Sequence, residues 1–153
     1  MQLRFAEPAD APALLSLINL AFQVERFFVD KDRLTLPEVE ERLHAGRFLM
    51  MEDAGELLGC LYLEPRGERV YFGLISIAPR LQGNGLGKRL VTAAEEYCRG
   101  AGFRFVDLNI VNLRTELPPF YRKLGYGDAG TAPFPEGEPV KLPCHFIRMS
   151  KAL

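Results

Sequence analysis

The sequence predicts a single mixed α/β domain over residues 1–153, in which a central, mostly antiparallel sheet of about six or seven strands is flanked by helices. Three observations carry this prediction. Two early segments have the apolar period of helices. Three strand-like runs separated by turn residues are typical of an antiparallel meander. A strand, a helix and a strand then follow in succession, which indicates a crossover between parallel strands.

One strand and two helices are predicted in the first third of the chain. Leu3 and Phe5 alternate with polar neighbours, as in a short strand. Asp10-Ala11-Pro12 places a capping acid and a proline where a helix begins, and apolar residues follow at three-to-four spacing. A second helix is expected from Thr35, because Thr35-Leu36-Pro37-Glu38 has the form of a capping box, and Gly46 ends it.

The middle of the chain supplies the meander and the crossover. The meander runs are 48–52, 57–64 and 69–78, and the last is apolar on both pleat faces, which predicts a central strand. A glycine-rich turn at Gln82–Gly87 leads into a helix that holds its apolar period until Gly102. A strand over 103–111 follows.

The last quarter of the chain predicts less regular structure. Pro118-Pro119 restrict the backbone, so only a short helix is expected at 120–124. An extended segment begins at Tyr126. The stretch 128–139 holds two glycines and three prolines and is predicted to be a loop. A final strand is expected near 144–149.

Composition and charge exclude several functional classes. The formal charge is −1 and the scattered Lys and Arg never form a run of five or more, so nucleic acid is not an expected partner. Three widely spaced cysteines argue against a disulfide framework and for a reducing cytoplasm. The apolar stretch 12–22 is too short and too interrupted to span a membrane, so no membrane role is expected. A homodimer is one of the oligomeric states left open.

The turn at Gln82–Lys88 is the strongest functional signal. Glycines allow backbone N–H groups to approach an anion closely, and the N-terminus of the following helix adds partial positive charge, so a pyrophosphate suits the site. Its Gly-x-Gly-x-Gly spacing differs from that of the dinucleotide-binding motif. It also lacks the spacing and the Ser or Thr of a P-loop. A glycine-rich turn without a ligand is the alternative.

Two motifs in the order expected resemble the GCN5-related N-acetyltransferases, or GNAT superfamily. Leu74–Gly87 resembles motif A, in which a strand and a Pro precede Gln or Arg-x-x-Gly-x-Gly or Ala, and Phe120–Tyr126 resembles the signature Phe-Tyr-x-Lys-Leu-Gly-Phe. The resemblance covers the middle third of the chain. It implies a GNAT-like sheet whose parallel crossover lies at a coenzyme A site, with acetyl-CoA as cosubstrate.

The resemblance also implies roles for individual residues. Tyr121 is expected to hydrogen-bond the thioester sulfur and to protonate the leaving thiolate, although a core aromatic residue is the alternative. Ile75 and Ile77 are expected to face the pantetheine arm. The diphosphate is expected on mostly main-chain groups of Gln82, Gly83, Asn84, Gly85, Leu86, Gly87 and Lys88.

Two departures from the family pattern leave the chemistry open. Many relatives carry a Glu on the strand equivalent to 69–77, but that run has no carboxylate here. Glu25, Glu64 or water ordered by Tyr71 or Ser76 are the alternatives for removing the proton of the amine. The family often has an Asn seven residues before the tyrosine, where this chain has Arg114. Asn112 or Arg114 is expected to supply the polar contact to coenzyme A instead.

The function predicted is acetyl transfer to a primary amine of an unidentified small molecule, peptide or protein. The segment 22–42 mixes six acids with four bases, and 128–139 carries three acids and no base. In the family such regions line the acceptor site, and an acidic rim would favour a cationic acceptor; a solvated loop explains the same charges. No metal is implied. The alternatives are a noncatalytic acyl-CoA sensor and an interaction domain with an empty turn.

Overall fold

A seven-stranded mixed sheet forms the centre of the computed structural model, which describes residues 1–153. The strands are β1 (Gln2–Phe5), β2 (Arg47–Asp53), β3 (Glu56–Arg66), β4 (Arg69–Ile77), β5 (Phe105–Val111), β6 (Gly127–Pro133) and β7 (His145–Ala152). The α-helices are α1 (Ala11–Ala21), α2 (Leu36–Ala45), α3 (Leu86–Gly100) and α4 (Leu117–Lys123). Short 3-10 turns precede α1, follow it, and precede the glycine-rich turn.

The sheet has the order β1-β2-β3-β4-β5-β7-β6. Strands β1 to β4 are antiparallel neighbours, β4 and β5 are parallel, and β5, β7 and β6 are again antiparallel neighbours. Helix α3 connects the parallel pair. The mostly antiparallel sheet with one parallel crossover is therefore confirmed, and β4 is its central strand as predicted.

Helices cover both faces of the sheet and bury two apolar cores. One core packs α3 against the sheet through Leu86, Leu90, Val91, Ala94 and Cys98. The other packs α1 and α2 through Ala11, Leu14, Leu17, Ile18 and Val39. Burying one such large aliphatic side chain contributes about 1.5–3 kcal/mol, so these helix faces hold the helices against the sheet.

The start of α2 forms as its sequence predicts. Thr35 is the N-cap: its hydroxyl accepts a hydrogen bond from the backbone N–H of Glu38 (3.4 Å), and the Glu38 carboxylate accepts one from the N–H of Thr35 (3.0 Å). Two donors at the helix terminus are satisfied by this reciprocal pair. Gly46 is the C-cap, as expected.

The prediction of a loop over 128–139 was wrong in its first half, where β6 forms. This edge strand pairs only with β7, and almost all of its residues are exposed, so it needs no apolar face. Gly130, with φ +111°, lies where the pairing register shifts. A bulged, glycine-containing edge strand lacks the alternation by which strands are recognised in sequence.

The predicted limits of α4 were also wrong. The helix begins at Leu117, so Pro118 and Pro119 lie in its first turn. Backbone N–H groups there have no intrahelical acceptor, and two prolines are therefore tolerated without loss of a hydrogen bond. The helix ends before Leu124, one residue earlier than predicted.

A β-bulge changes the course of β4. Cys60 of β3 lies opposite Ser76, whereas Tyr62 lies opposite Gly73, so β4 contains an extra residue between these pairs. Leu74 there has φ +52°, a left-handed conformation that is uncommon for a leucine. Phe72 and Ile75 consequently pack on the α3 side of the sheet and Leu74 on the α1 and α2 side.

The parallel pair separates beyond the first three residues of β4. Only Arg69, Val70 and Tyr71 pair with β5, although both strands continue. On its other edge β5 remains paired with β7 along its whole length, from Phe105 to Val111. A gap between β4 and β5 therefore opens within the sheet.

Candidate active site

A cavity of about 200 Å³ lies in the gap between β4 and β5. Residues 71–75 of β4 and 108–111 of β5 form two of its walls. Tyr121 of α4 and the segment between α1 and α2 contribute further side chains. Because the backbone edges of β4 and β5 lack strand partners beyond Tyr71, their N–H and C=O groups are available to a ligand.

Tyr121 is buried to all but 6% of its surface and lines this cavity. Its ring makes edge-to-face contacts with Phe120 and Tyr126, at centroid distances of 5.0 and 5.8 Å. Its hydroxyl makes no side-chain hydrogen bond within the protein. Burial raises the pKa of Tyr121, an effect that the nearby Arg114 partly opposes. The phenol therefore stays protonated and can donate a hydrogen bond into the cavity.

Glu25 and Arg114 form an ion pair on the cavity wall. The distance between Arg114 Nη1 and Glu25 Oε2 is 2.9 Å, and the two side chains are only 16% and 13% exposed. Arg114 also contacts Glu116 at 3.1 Å. Burial raises the pKa of Glu25, while Arg114 opposes this. A carboxylate whose pKa is raised toward neutrality is a stronger proton acceptor than an exposed one.

The glycine-rich turn presents free backbone donors. Gly83 and Gly85 have φ values of +84° and +77°, which glycine adopts without strain, and Gly85 is the N-cap of α3. The side-chain amides of Gln82 and Asn84 fold back onto the carbonyls of Ile77 and Leu81. The first hydrogen bond of α3 is donated by Arg89, which leaves the N–H groups from Gly83 to Lys88 without a backbone acceptor.

The two sequence motifs meet in the folded chain. A Cβ added at Gly87, in the first turn of α3, would lie 3.5 Å from the ring of Phe120, next to Tyr121. No side chain comes within 4 Å of such an atom at Gly83 or Gly85, so the turn is open to a ligand. The free donors, the helix N-terminus and the absence of obstruction all fit a diphosphate.

The family model for the GNAT acetyltransferases matches residues 12–126. The chain belongs to the GNAT acetyltransferase family. Three solved structures illustrate the likeness. Ribosomal-protein-alanine N-acetyltransferase from Brucella melitensis is 20% identical, with a TM-score of 0.78 and full coverage of both chains. An aminoglycoside 6'-N-acetyltransferase complexed with coenzyme A is 20% identical, with a TM-score of 0.76 and coverage of 99% of this chain and 97% of that one.

The third structure is yncA from Salmonella typhimurium, solved with its cofactor acetyl-CoA. It is 22% identical, with a TM-score of 0.74 and coverage of 100% of this chain and 94% of that one. At these identities the structures establish a shared GNAT fold. A sequence search of curated proteins found no match.

Asn112 and Arg114 both make contacts within the protein in this GNAT chain. The side-chain oxygen of Asn112 accepts a hydrogen bond from the backbone N–H of His145 (2.9 Å), and so extends the pairing of β5 with β7. Arg114, which stands where relatives often have Asn, is held by Glu25 and Glu116. A contact of Asn112 or Arg114 with coenzyme A stays a prediction.

The structure places two of the four groups expected to help remove the proton of the amine at the cavity and the other two elsewhere. Glu25 and Tyr71 line the cavity. Glu64 does not, and its carboxylate accepts hydrogen bonds from Tyr62 (2.6 Å) and Arg66 (3.1 Å). Ser76 is buried and donates to the carbonyl of Leu74 at 3.0 Å, within its own strand. Ile75 lines the cavity, whereas Ile77, which packs on the α3 side, is outside its wall.

Sequence reasoning missed several cavity residues. Phe22, Arg33, Phe134 and Phe146 all line it and come from three separate segments of the chain. The one available signal was the composition of segment 22–42, which has mixed charges and more apolar residues than an ordinary linker. No group of three or more His, Cys, Asp or Glu side chains is arranged to hold a metal ion. No helix is long and apolar enough to cross a membrane.

Proposed function

We propose that this protein is an acetyl-CoA-dependent N-acetyltransferase that transfers the acetyl group directly to a primary amine. The observation that carries the proposal is a cavity between β4 and β5 that is lined by Tyr121 and Glu25, together with a turn of free N–H donors whose Gly87 lies against Phe120, the neighbour of Tyr121. Acetyl-CoA supplies the acetyl group as a thioester. All three cysteines are free thiols, as suits a cytoplasmic enzyme.

The glycine-rich turn is suited to the diphosphate of the cosubstrate. Backbone N–H groups from Gly83 to Lys88 and the N-terminus of α3 would hold it, and Ile75 would lie along the pantetheine arm. Lys88 is exposed in the first turn of α3. A cation opposes the helix dipole there, and a bound anion would relieve this arrangement.

Tyr121 is proposed to assist departure of the thiolate. A thiol has a pKa near 8.5 and a phenol near 10, so complete proton transfer from an ordinary phenol to a thiolate costs about 2 kcal/mol. Burial raises the pKa of Tyr121 and increases this cost. The residue therefore acts best as a hydrogen-bond donor whose bond strengthens as negative charge develops on sulfur.

Glu25 is proposed to take the proton of the amine. A lysine-like amine is protonated at pH 7 and must lose a proton before it can attack. Glu25 lies on the wall of the same cavity as Tyr121 and its pKa is raised by burial. Arg114 fixes its orientation through the 2.9 Å ion pair. The missing strand carboxylate of the family is thus replaced from a different segment.

A binding experiment with a matched control tests the first step. Gly85→Glu introduces a negative side chain at the N-cap of α3, and acetyl-CoA affinity should fall at least about 100-fold, as a like charge beside a diphosphate predicts. Gly67→Glu adds the same side chain at φ +67° with equally free space, in the β3–β4 turn. The nine residues of β4 separate the two sites by about 30 Å.

Calorimetric titration of acetyl-CoA into the wild type and both variants gives the answer. Tight binding by wild type and Gly67→Glu, with loss in Gly85→Glu, supports the turn assignment. Thiol release with a panel of amines then separates an enzyme from an acyl-CoA sensor, which would bind without turnover. A folded wild-type protein that does not bind acetyl-CoA would refute the proposal.

A further inference from the structure

All but one of the charged side chains of the cavity wall have a close polar partner in the protein. Four acids and three bases line the cavity: Glu25, Asp32, Glu38, Glu138, Lys31, Arg33 and Arg114. Glu25 pairs with Arg114 at 2.9 Å, and Glu138 pairs with Lys31 at 2.9 Å. Asp32 pairs with Arg26 at 2.5 Å. Glu38 is the partner of Thr35 in the capping box of α2.

Arg33 is the exception in this set. It has no carboxylate within 4.0 Å and its guanidinium makes no hydrogen bond, although the side chain is more than half buried. Its guanidinium carbon lies 5.6 Å from the centre of the Phe22 ring. Burial lowers the pKa of Arg33, which records the cost of leaving this cation without a close partner. The groups that face it are Glu25, Glu38, Arg42 and Tyr71.

The ion pairs of the cavity wall change the charge that is expected of the acceptor. An acidic rim was expected to favour a cationic acceptor, but three of the four wall acids are held in ion pairs, and the fourth, Glu38, is hydrogen-bonded to Thr35. Arg33 is the one charged group of the wall that has neither an ion-pair partner nor a hydrogen bond, so its N–H donors are free for a ligand. A guanidinium binds a carboxylate through two parallel hydrogen bonds, and desolvation in a cavity strengthens them. The rest of the wall is largely apolar, with Phe22, Phe134 and Phe146 among its residues.

We propose that the acceptor is a small amine that also carries a carboxylate, and that Arg33 binds this carboxylate. This rests on the proposed function, since it assigns the second substrate to the same cavity. Arg33 and Glu25 belong to one segment of the chain, between α1 and α2, and both line the cavity with Tyr121. The carboxylate at Arg33 would leave the amine of the acceptor to Glu25 and the reacting carbonyl.

Product-like ligands test this without turnover. The probes are N-acetyl-L-leucine and N-acetyl-L-phenylalanine, each matched with its carboxamide, titrated calorimetrically into the protein with and without coenzyme A. Wild type should bind each acid about 10- to 100-fold more tightly than its amide, as a hydrogen-bonded charge pair predicts. Arg33→Gln should abolish this preference, and Arg33→Lys should restore part of it.

Arg42→Gln is the matched control, because Arg42 faces Arg33 but lies over the Tyr62 ring, outside the cavity wall. It should keep the acid preference. Equal binding of acid and amide by wild type, no binding of either acid, or a preference that survives in Arg33→Gln would each overturn the inference. These outcomes leave acetyl-CoA binding untouched, so they are distinguishable from failure of the proposed function.

Discussion

Loss of the hydroxyl group should affect catalysis at one of two neighbouring tyrosines and stability at the other. Tyr121 and Tyr126 are in edge-to-face contact at 5.8 Å, and both are buried. The hydroxyl of Tyr121 lies at the cavity without a protein partner, whereas that of Tyr126 donates a 2.7 Å hydrogen bond to Glu95. Tyr121→Phe should therefore affect catalysis, and Tyr126→Phe should affect stability.

The magnitudes follow from these contacts. Loss of one positioned hydrogen-bond donor to a developing negative charge lowers kcat by about 10²- to 10³-fold. Tyr121→Phe breaks no intramolecular hydrogen bond, so the free energy of unfolding should change by less than about 0.5 kcal/mol. Tyr126→Phe removes a hydrogen bond to a charged group, which is worth about 1.5–3 kcal/mol. Glu95 keeps Lys151 as a partner at 3.0 Å, which prevents a larger loss.

Thiol release measured well below the melting temperature, together with thermal unfolding, separates the two effects. For a chain of this size, the loss at Tyr126 corresponds to a Tm lower by about 3–12 °C. The GNAT signature has Phe at the position of Tyr126, so its activity should be retained. A Tyr121→Phe variant that keeps full kcat would refute the role proposed for the phenol, and a fall in its Tm as large as that of Tyr126→Phe would show a structural role.

Two further predictions concern pH. Glu25 becomes protonated as pH falls through its raised pKa, so kcat/KM should fall on the acidic side at a pH above the ordinary pKa of Glu. Glu25→Gln should lower the rate and remove this acidic fall. A pH profile that is unchanged in the variant would contradict the role of Glu25. Arg69, bonded twice to Asp107 at 2.7 Å, lowers the pKa of that carboxyl. The stabilisation that this pair gives the folded state is present above about pH 4 and is lost as pH falls through the lowered folded-state pKa of Asp107. In urea unfolding, Asp107→Asn should differ from wild type at pH 7 and approach it near pH 3, and a constant difference would contradict this.

Features determined by nearby residues were predictable from the sequence. The capping box at Thr35 and the glycine-rich turn at Gln82–Gly87 depend on local backbone conformation, and the structure contains both. The apolar faces of β4 and α3 likewise identified the elements that frame the turn. Each of these patterns lies within one segment, so its meaning does not depend on what the rest of the chain does.

Features that depend on distant contacts were not predictable. Glu25 and Arg114 are 89 residues apart, and nothing in either segment indicates their ion pair. In the sequence Arg33 cannot be distinguished from a solvated surface base. Only the fold shows that the acids near it have other partners. The bulge at Leu74 is set by the pairing with β3; Gly73, which directly precedes it, is compatible with a bulge but does not fix where the extra residue lies. β6 was missed because an exposed edge strand can use polar and small residues.

The separation of β4 from β5 also bears on solubility. Unpaired strand edges on a protein's periphery invite pairing with other chains, and natural sheets usually block them. Here two such edges face each other inside the sheet, flanked by α4 and by the segment between α1 and α2. A second protein's sheet cannot reach them, whereas a thin extended molecule can. The protein thus keeps unpaired backbone groups available to an extended ligand without placing an aggregation-prone edge at the periphery of the sheet.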